Sequence, residues 1–188
     1  MPDESELERL YDEHAQALFG FLLNLTRDEA DARDALQEVF VKLARQPGLL
    51  KGVREPRAFL IRMAHGAAID AMRRRGVREK YHEQFRAEQA GMFAPAEDPD
   101  AQAFRDSVSA AMGELPPEQR AVLHLKLWER LTFEQIAEVL EISPNTAASR
   151  YRYGLDKLRS QLRPLYDEIT ALKSQISNFK SQIKGSKA

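Results

Sequence analysis

Asn145, Thr146, Ser149, Arg150 and Tyr153 follow Ser143-Pro144 at spacings that put them on one side of a helix. These residue types hydrogen-bond base edges and backbone phosphates in the grooves of duplex DNA. Arg152, Lys157 and Arg159 come next as cations suited to phosphate. A second cationic set, Arg73-Arg74-Arg75 with Arg78 and Lys80, ends a segment in which Arg62, Gly66, Asp70 and Arg73 share a face. A third set is acidic: Asp31, Asp34 and Glu38. Three such carboxylates could imitate a metal site, and an exposed acidic face is the other reading. His14, His65, His82 and His124 are isolated, without spacing that suggests a metal ligand set. No phosphate-binding glycine loop or nucleophile constellation is visible, so neither an enzyme nor a cofactor is expected. The chemistry on offer is binding.

The elements that must position the first set are written into residues 114–159. Pro116-Pro117 suits the first turn of a helix running to about Glu129, with Val122 and Leu125 inward. Thr132-Phe-Glu-Gln135 is a capping box with Leu131 and Ile136 at staple positions, and Ser143-Pro144 opens the next helix as cap and first residue. Helices at roughly 132–140 and 144–162, joined by a short turn, make a helix-turn-helix whose second helix enters a major groove. Ala137 allows the close crossing, and Ile136, Leu140 and Ile142 supply apolar contact. An αα-hairpin inside a bundle is the competing reading. Glu141 occupies the turn, where glycine would reach the left-handed region without the roughly 1–2 kcal/mol cost of a β-carbon.

A chain of 188 residues with 43% hydrophobic and 30% charged side chains has the composition of a globular protein of one or two domains. No apolar run approaches the roughly 20 residues of a membrane span, and the N-terminus is acidic rather than signal-like. Cysteine is absent. Cytoplasm is the expected location and a membrane is not an expected partner. The net charge of −1 hides segregation: residues 1–40 carry −8, 41–90 carry +7, 91–120 carry −4, 121–150 carry −1 and 151–188 carry +5. Two basic blocks imply an anionic partner, and the acidic start implies something else.

Along the chain, Leu7, Leu10, Tyr11, Leu18, Phe21, Leu22 and Leu25 predict an amphipathic first helix, punctuated by Thr26 and Asp28. A second helix spans about 28–45 with Ala32, Leu36, Val39, Phe40 and Leu43 inward. Pro56 opens a third, whose buried stripe is Leu60, Met63, Ala64, Ala67 and Ala71. A solvated helix end is the plain alternative for its terminal arginines. GMFAPAEDPD at 91–100 reads as a linker, and a helix from about Ala101 to Gly113 follows. Trp128 is expected in the core of the C-terminal domain.

In this order and spacing the chain resembles the extracytoplasmic-function, or group IV, sigma factors of bacterial RNA polymerase, over roughly residues 6–162. Asp31-Ala-Arg-Asp-Ala-Leu-Gln-Glu-Val-Phe40 resembles the polymerase-docking helix, which implies docking through Asp31, Asp34, Gln37, Glu38 and Phe40. Pro56-Arg-Ala-Phe-Leu-Ile-Arg-Met-Ala64, with Asp70 and the arginine run, resembles the promoter-melting and minus-ten segment. That implies DNA contacts from Arg57, Arg62, His65, Gly66, Asp70, Arg73, Arg74 and Arg75. Leu115-Pro-Pro-Glu-Gln-Arg120, Leu131-Thr-Phe-Glu-Gln-Ile-Ala137 and Ser143-Pro-Asn-Thr146 through Ser149-Arg150 resemble the domain that reads the minus-thirty-five element. There the implied set is Ser143, Asn145, Thr146, Ser149, Arg150, Arg152, Tyr153 and Lys157. The implied fold is all-α: region 2 at 1–90, an acidic linker at 91–100, region 4 at 101–163 and a helical extension at 164–188. The implied partners are core RNA polymerase and promoter DNA. The implied function is promoter-specific initiation, with polymerase doing the chemistry. A classical operator-binding regulator and a helical adaptor are the alternatives.

Four departures from the family pattern stand out. Gly66 replaces an asparagine that helps hold an unstacked promoter base, Ala148 replaces a lysine, and Glu141 replaces the turn glycine. The fourth is the tail: Leu155, Leu158, Leu162, Leu165, Ile169, Leu172, Ile176, Phe179 and Ile183 keep a heptad seam through Pro164, which should kink rather than end the helix. Either the tail folds back on its own domain or frays, or residues 164–188 engage an anti-sigma factor, another regulator, a second copy or polymerase.

Overall fold

The computed structural model describes the backbone at residues 4–79 and 99–185, and side chains at 6–75, 101–167 and 170. Seven α-helices and one short 3-10 turn, Pro47–Leu50, account for the regular structure among the described residues. The helices are α1 Glu4–Thr26, α2 Glu29–Arg45, α3 Pro56–Glu79, α4 Pro99–Gly113, α5 Pro117–Leu127, α6 Phe133–Leu140 and α7 Pro144–Gly185. Most of the expected linker, residues 91–98, falls outside the described residues, as do His82, the Arg78 and Lys80 side chains and the seam side chains Ile169 and beyond.

The chain breaks where its local chemistry breaks it. Thr26 ends α1 by donating its hydroxyl to Leu22 O at 2.9 Å, and Arg27 then turns through a left-handed φ of 59°. Asp28 accepts the Asp31 N–H at 2.9 Å, an N-cap that starts α2. Thr132 and Gln135 form both arms of the capping box, with Thr132 Oγ1 accepting from Gln135 N at 3.2 Å and Gln135 Oε1 accepting from Thr132 N at 2.8 Å. Glu141 takes the left-handed turn, φ 55° and ψ 44°. Glycine tolerates that conformation without a β-carbon penalty but gains more freedom when unfolded. Glu141→Gly should therefore stabilise the fold by about 0.5–1 kcal/mol in urea unfolding. A loss of stability would mean the Glu141 carboxylate outweighs the backbone strain.

The first three helices form one bundle around Leu18, Phe21, Leu22, Leu25, Leu43, Leu60 and Ala64, each 2% exposed or less. The last four form a second, in which α5 and α7 meet at Gly154. A β-carbon there would lie 2.8 Å from Leu123 Cδ1, so this crossing needs the missing side chain. The two bundles are not separate. Ala121, Val122 and Leu125 of α5 and Ile136, Val139 and Leu140 of α6 belong to the same continuous apolar core as α1, α2 and α3. Helix α7 runs through Pro164 without ending and reaches Gly185.

Candidate nucleic-acid interface

Helices α6 and α7 meet as the expected helix-turn-helix, with Ile136 and Ala147 fully buried between them and Ala137 nearly so. Asn145, Arg152 and Tyr153 are exposed on α7, while Thr146, Ser149 and Arg150 are half-buried. Ser143 acts as the cap: its hydroxyl accepts Thr146 N at 3.0 Å and lies 2.8 Å from Thr146 Oγ1. Two hydroxyls from the expected DNA face thus hold the helix start. Arg152 lies over the Tyr153 ring, 5.0 Å from its centroid. Lys157 donates to Glu114 O at 2.6 Å and ties α7 to the α4–α5 turn.

On α2, Asp34, Gln37 and Glu38 are exposed and Asp31 is half-buried, but Phe40 is buried against Tyr11, with ring centroids 4.9 Å apart. Phe40 supports the helix from behind. The acids of α2 also meet the arginines of α3. Arg75 lies 2.9 Å from Asp28 and 3.3 Å from Asp31, and Arg74 lies 3.7 Å from Glu38. Gly66, Asp70 and Arg73 stay exposed along α3, and space is open where a side chain at Gly66 would stand. Among the described residues no group of three or more His, Asp or Glu is placed to hold a metal ion.

Residues 10–78 match the family model of Sigma-70 region 2, and residues 105–158 match that of Sigma-70 region 4. The sigma factor SigL of Mycobacterium tuberculosis is 30% identical over 162 residues, 85% of this chain and 90% of that relative. CarQ of Myxococcus xanthus is 30% identical over 166 residues, 88% of this chain and 94% of the relative. The chain belongs to the extracytoplasmic-function sigma factors. Its fold matches that of the sigma factor RpoE in complex with the anti-sigma factor NepR from Bartonella quintana, with TM-score 0.69 and 22% identity over 84% of this chain and 97% of that one. CnrH in complex with the cytosolic domain of CnrY matches at TM-score 0.60 and 20% identity, over 87% and 91% of the two chains.

In this sigma factor the residues that hold region 2 to region 4 were not singled out by sequence reasoning. Asn24 of α1, fully buried, donates its amide to His124 Nδ1 of α5 at 3.1 Å. His124 sits edge-on to Phe21 and stacks on Trp128, and burial pushes its pKa down to about 4. Arg120 is 5% exposed and donates to Leu25 O and Gly113 O, each at 3.1 Å. Arg27 donates to Ser109 Oγ at 3.1 Å. Asn24, Arg120 and His124 stand at helical positions and Arg27 in the turn after α1, where an ordinary polar side chain is expected, and only the tertiary fold brings the partner of each. Trp128 corrects an expectation. It is 40% exposed, on the lip of an apolar groove of about 720 Å³ with Leu127, Leu155, Leu158 and Tyr166, because α5 ends at Leu127 and turns the indole outward. No described helix is long and apolar enough to cross a membrane.

Proposed function

We propose that this sigma factor directs promoter-specific transcription initiation by dividing the labour between its two bundles. Helix α2 docks on core RNA polymerase through Asp34, Gln37 and Glu38, with Asp31 at its edge. Helix α3 meets the minus-ten element through Arg57, Arg62, His65, Asp70 and Arg73 to Arg75. The helix-turn-helix reads the minus-thirty-five element from Asn145, Ser149, Arg150, Arg152 and Tyr153. One observation carries this reading: a helix-turn-helix with exposed Asn145, Arg152 and Tyr153 shares a chain with an arginine-terminated α3, in the order of regions 2 and 4. Phosphate contacts from the arginines supply affinity and register, and base-edge contacts supply specificity. The chain has no described catalytic constellation of its own, and polymerase performs the nucleotidyl transfer. The end of α7, from Pro164 to Gly185 and carrying exposed Tyr166, is the segment left for a regulator.

The deciding experiment is capture of core RNA polymerase by the purified protein, with and without residues 165–188, followed by run-off transcription on fragments of its own genome. Binding with new start sites supports the reading, and absence of binding by either form sinks it. On a promoter so mapped, Arg150→Ala should weaken recognition of the upstream element by about 1–3 kcal/mol. Equal losses on cognate and scrambled upstream sequences would instead assign Arg150 to phosphate.

A further inference from the structure

The apolar seam of α7 outruns the bundle on which it starts. Leu158 is buried, and Leu155 and Leu162 pack with it in one apolar cluster that includes Met112, Leu115 and Leu123. Past that cluster the helix continues to Gly185. Where it leaves, Leu165 is half-buried and Tyr166 beside it is 69% exposed. Local preference does not account for the continuation. Pro164 removes one backbone hydrogen bond from α7, and Thr170, Ser174, Ser177, Asn178 and Ser181 are mediocre helix formers. A helix of that composition is marginal in water unless its apolar stripe is covered.

The residue types along the stripe indicate what covers it. Taken as heptads, Leu165, Leu172 and Phe179 fall at d, and Ile169, Ile176 and Ile183 fall at a. Isoleucine at a with leucine at d favours two parallel strands over three or four. Glu168 falls at g, and Lys173 at the next e. In a parallel pair each g faces the e of the following heptad on the other strand. Glu168 then meets Lys173 of the partner subunit, twice by symmetry. In an antiparallel pair e faces e, and this column holds Tyr166, Lys173 and Lys180, so lysines would face lysines.

We propose that the segment from Leu165 to Ile183 pairs with the same segment of a second copy of this chain, as a parallel two-stranded coiled coil. The pairing goes beyond the promoter roles proposed above and does not depend on them. Its seam is about 27 Å long. The recognition residues lie on the same helix from Pro144 onward, so a pair carries two recognition surfaces on one stem.

Light scattering of the full chain at high micromolar concentration should give about twice the 21.4 kDa chain mass, falling to one chain on dilution. Ile176→Asp, at the central a position, should raise the concentration for half-pairing at least about tenfold. Ser177→Asp adds the same charge one residue on, at an outward b position, and should change it less than about twofold. Lys173→Glu sets like charges at both crossings and should weaken pairing about threefold, and adding Glu168→Lys should restore it. The chain has no cysteine, so Ile183→Cys reads direction: parallel strands bring the two thiols together, and mild oxidation should link them. A single-chain mass at high concentration overturns the proposal and leaves the segment to a different partner. A threefold mass, or a double mass without the Ile183→Cys link, overturns the parallel pair. Equal effects of Ile176→Asp and Ser177→Asp overturn the seam. Failure to capture core polymerase would count against the sigma reading alone, since neither mass nor cross-link involves polymerase.

Discussion

Arg120→Ala should lower the stability of the whole protein by about 3–4 kcal/mol and its melting temperature by roughly 10 °C. The reason is where the guanidinium sits. Leu25 is in the last turn of α1 and Gly113 is the last residue of α4, so their carbonyls have no partner further along their own helices. Both carbonyls point their negative ends at one buried cation, 3.1 Å from each. Burial, helped by the nearby Arg27 charge, pulls the Arg120 pKa down to about 10, which leaves it charged at neutral pH. Hydrogen bonds from a charged donor contribute about 1.5–3 kcal/mol each, and a buried carbonyl that loses its donor keeps the cost of its desolvation.

Alanine therefore orphans two helix ends and opens a void between the bundles. Arg120→Met restores most of the volume without the donors, so it should recover only the packing part, about 1 kcal/mol. Arg120→Lys keeps the charge but loses the fork, and should fall between alanine and wild type. Urea unfolding of the three variants separates these contributions. A loss below about 1 kcal/mol for Arg120→Ala would mean that water reaches both carbonyls when the side chain is removed. Because the residue bridges α1 to α4 through α5, the shared core also predicts one unfolding transition rather than two.

The helices were legible because their signals are local. Asp28, Thr132 with Gln135, and Ser143-Pro144 start helices with side chains two or three residues from the amides they serve, and each does so in the structure. Helical spacing and its apolar stripes likewise placed Leu22, Leu43, Leu60, Val122 and Ile136 inside, since one apolar stripe has one place to go. The interface between bundles was not legible. Asn24 and His124 are 100 residues apart, and Arg120 and Leu25 are 95 apart. Nothing in the periodicity of α1 distinguishes a buried asparagine from a solvated one. Arg57, Arg62 and His65 were marked in the sequence only by the family resemblance, as implied DNA contacts. That they face Glu129, Glu138 and Glu141 depends on how α6 lies against α3, which no window of sequence contains. Trp128 was expected in the core of the C-terminal domain, but its position one residue past the end of α5 turned it to the surface.

Acid should weaken the fold most steeply through His124. Its imidazole accepts from Asn24 through Nδ1, is packed between Phe21 and Trp128, and has Nε2 3.9 Å from Glu129 Oε1. Two influences oppose there: the Glu129 carboxylate favours the imidazolium, and burial disfavours it. Burial wins, because Glu129 is already engaged by Arg57 and protonation would force Nδ1 to donate where it now accepts from Asn24. A histidine held at about 4 in the fold and near 6.5 when unfolded binds more protons in the unfolded state between those values. Its contribution is therefore fully present above about pH 6.5 and is lost as pH falls toward 4, by about 3 kcal/mol in all. Urea unfolding at intervals from pH 7 to pH 4 reads this directly, against His124→Gln, whose side-chain carbonyl can still accept from Asn24. The variant should be about 1 kcal/mol less stable at pH 7 and should show a shallower acid slope, the difference between the two curves tracing the histidine alone. Parallel curves would mean that His124 is protonated at little cost in the fold, with Glu129 turning from Arg57 to receive it.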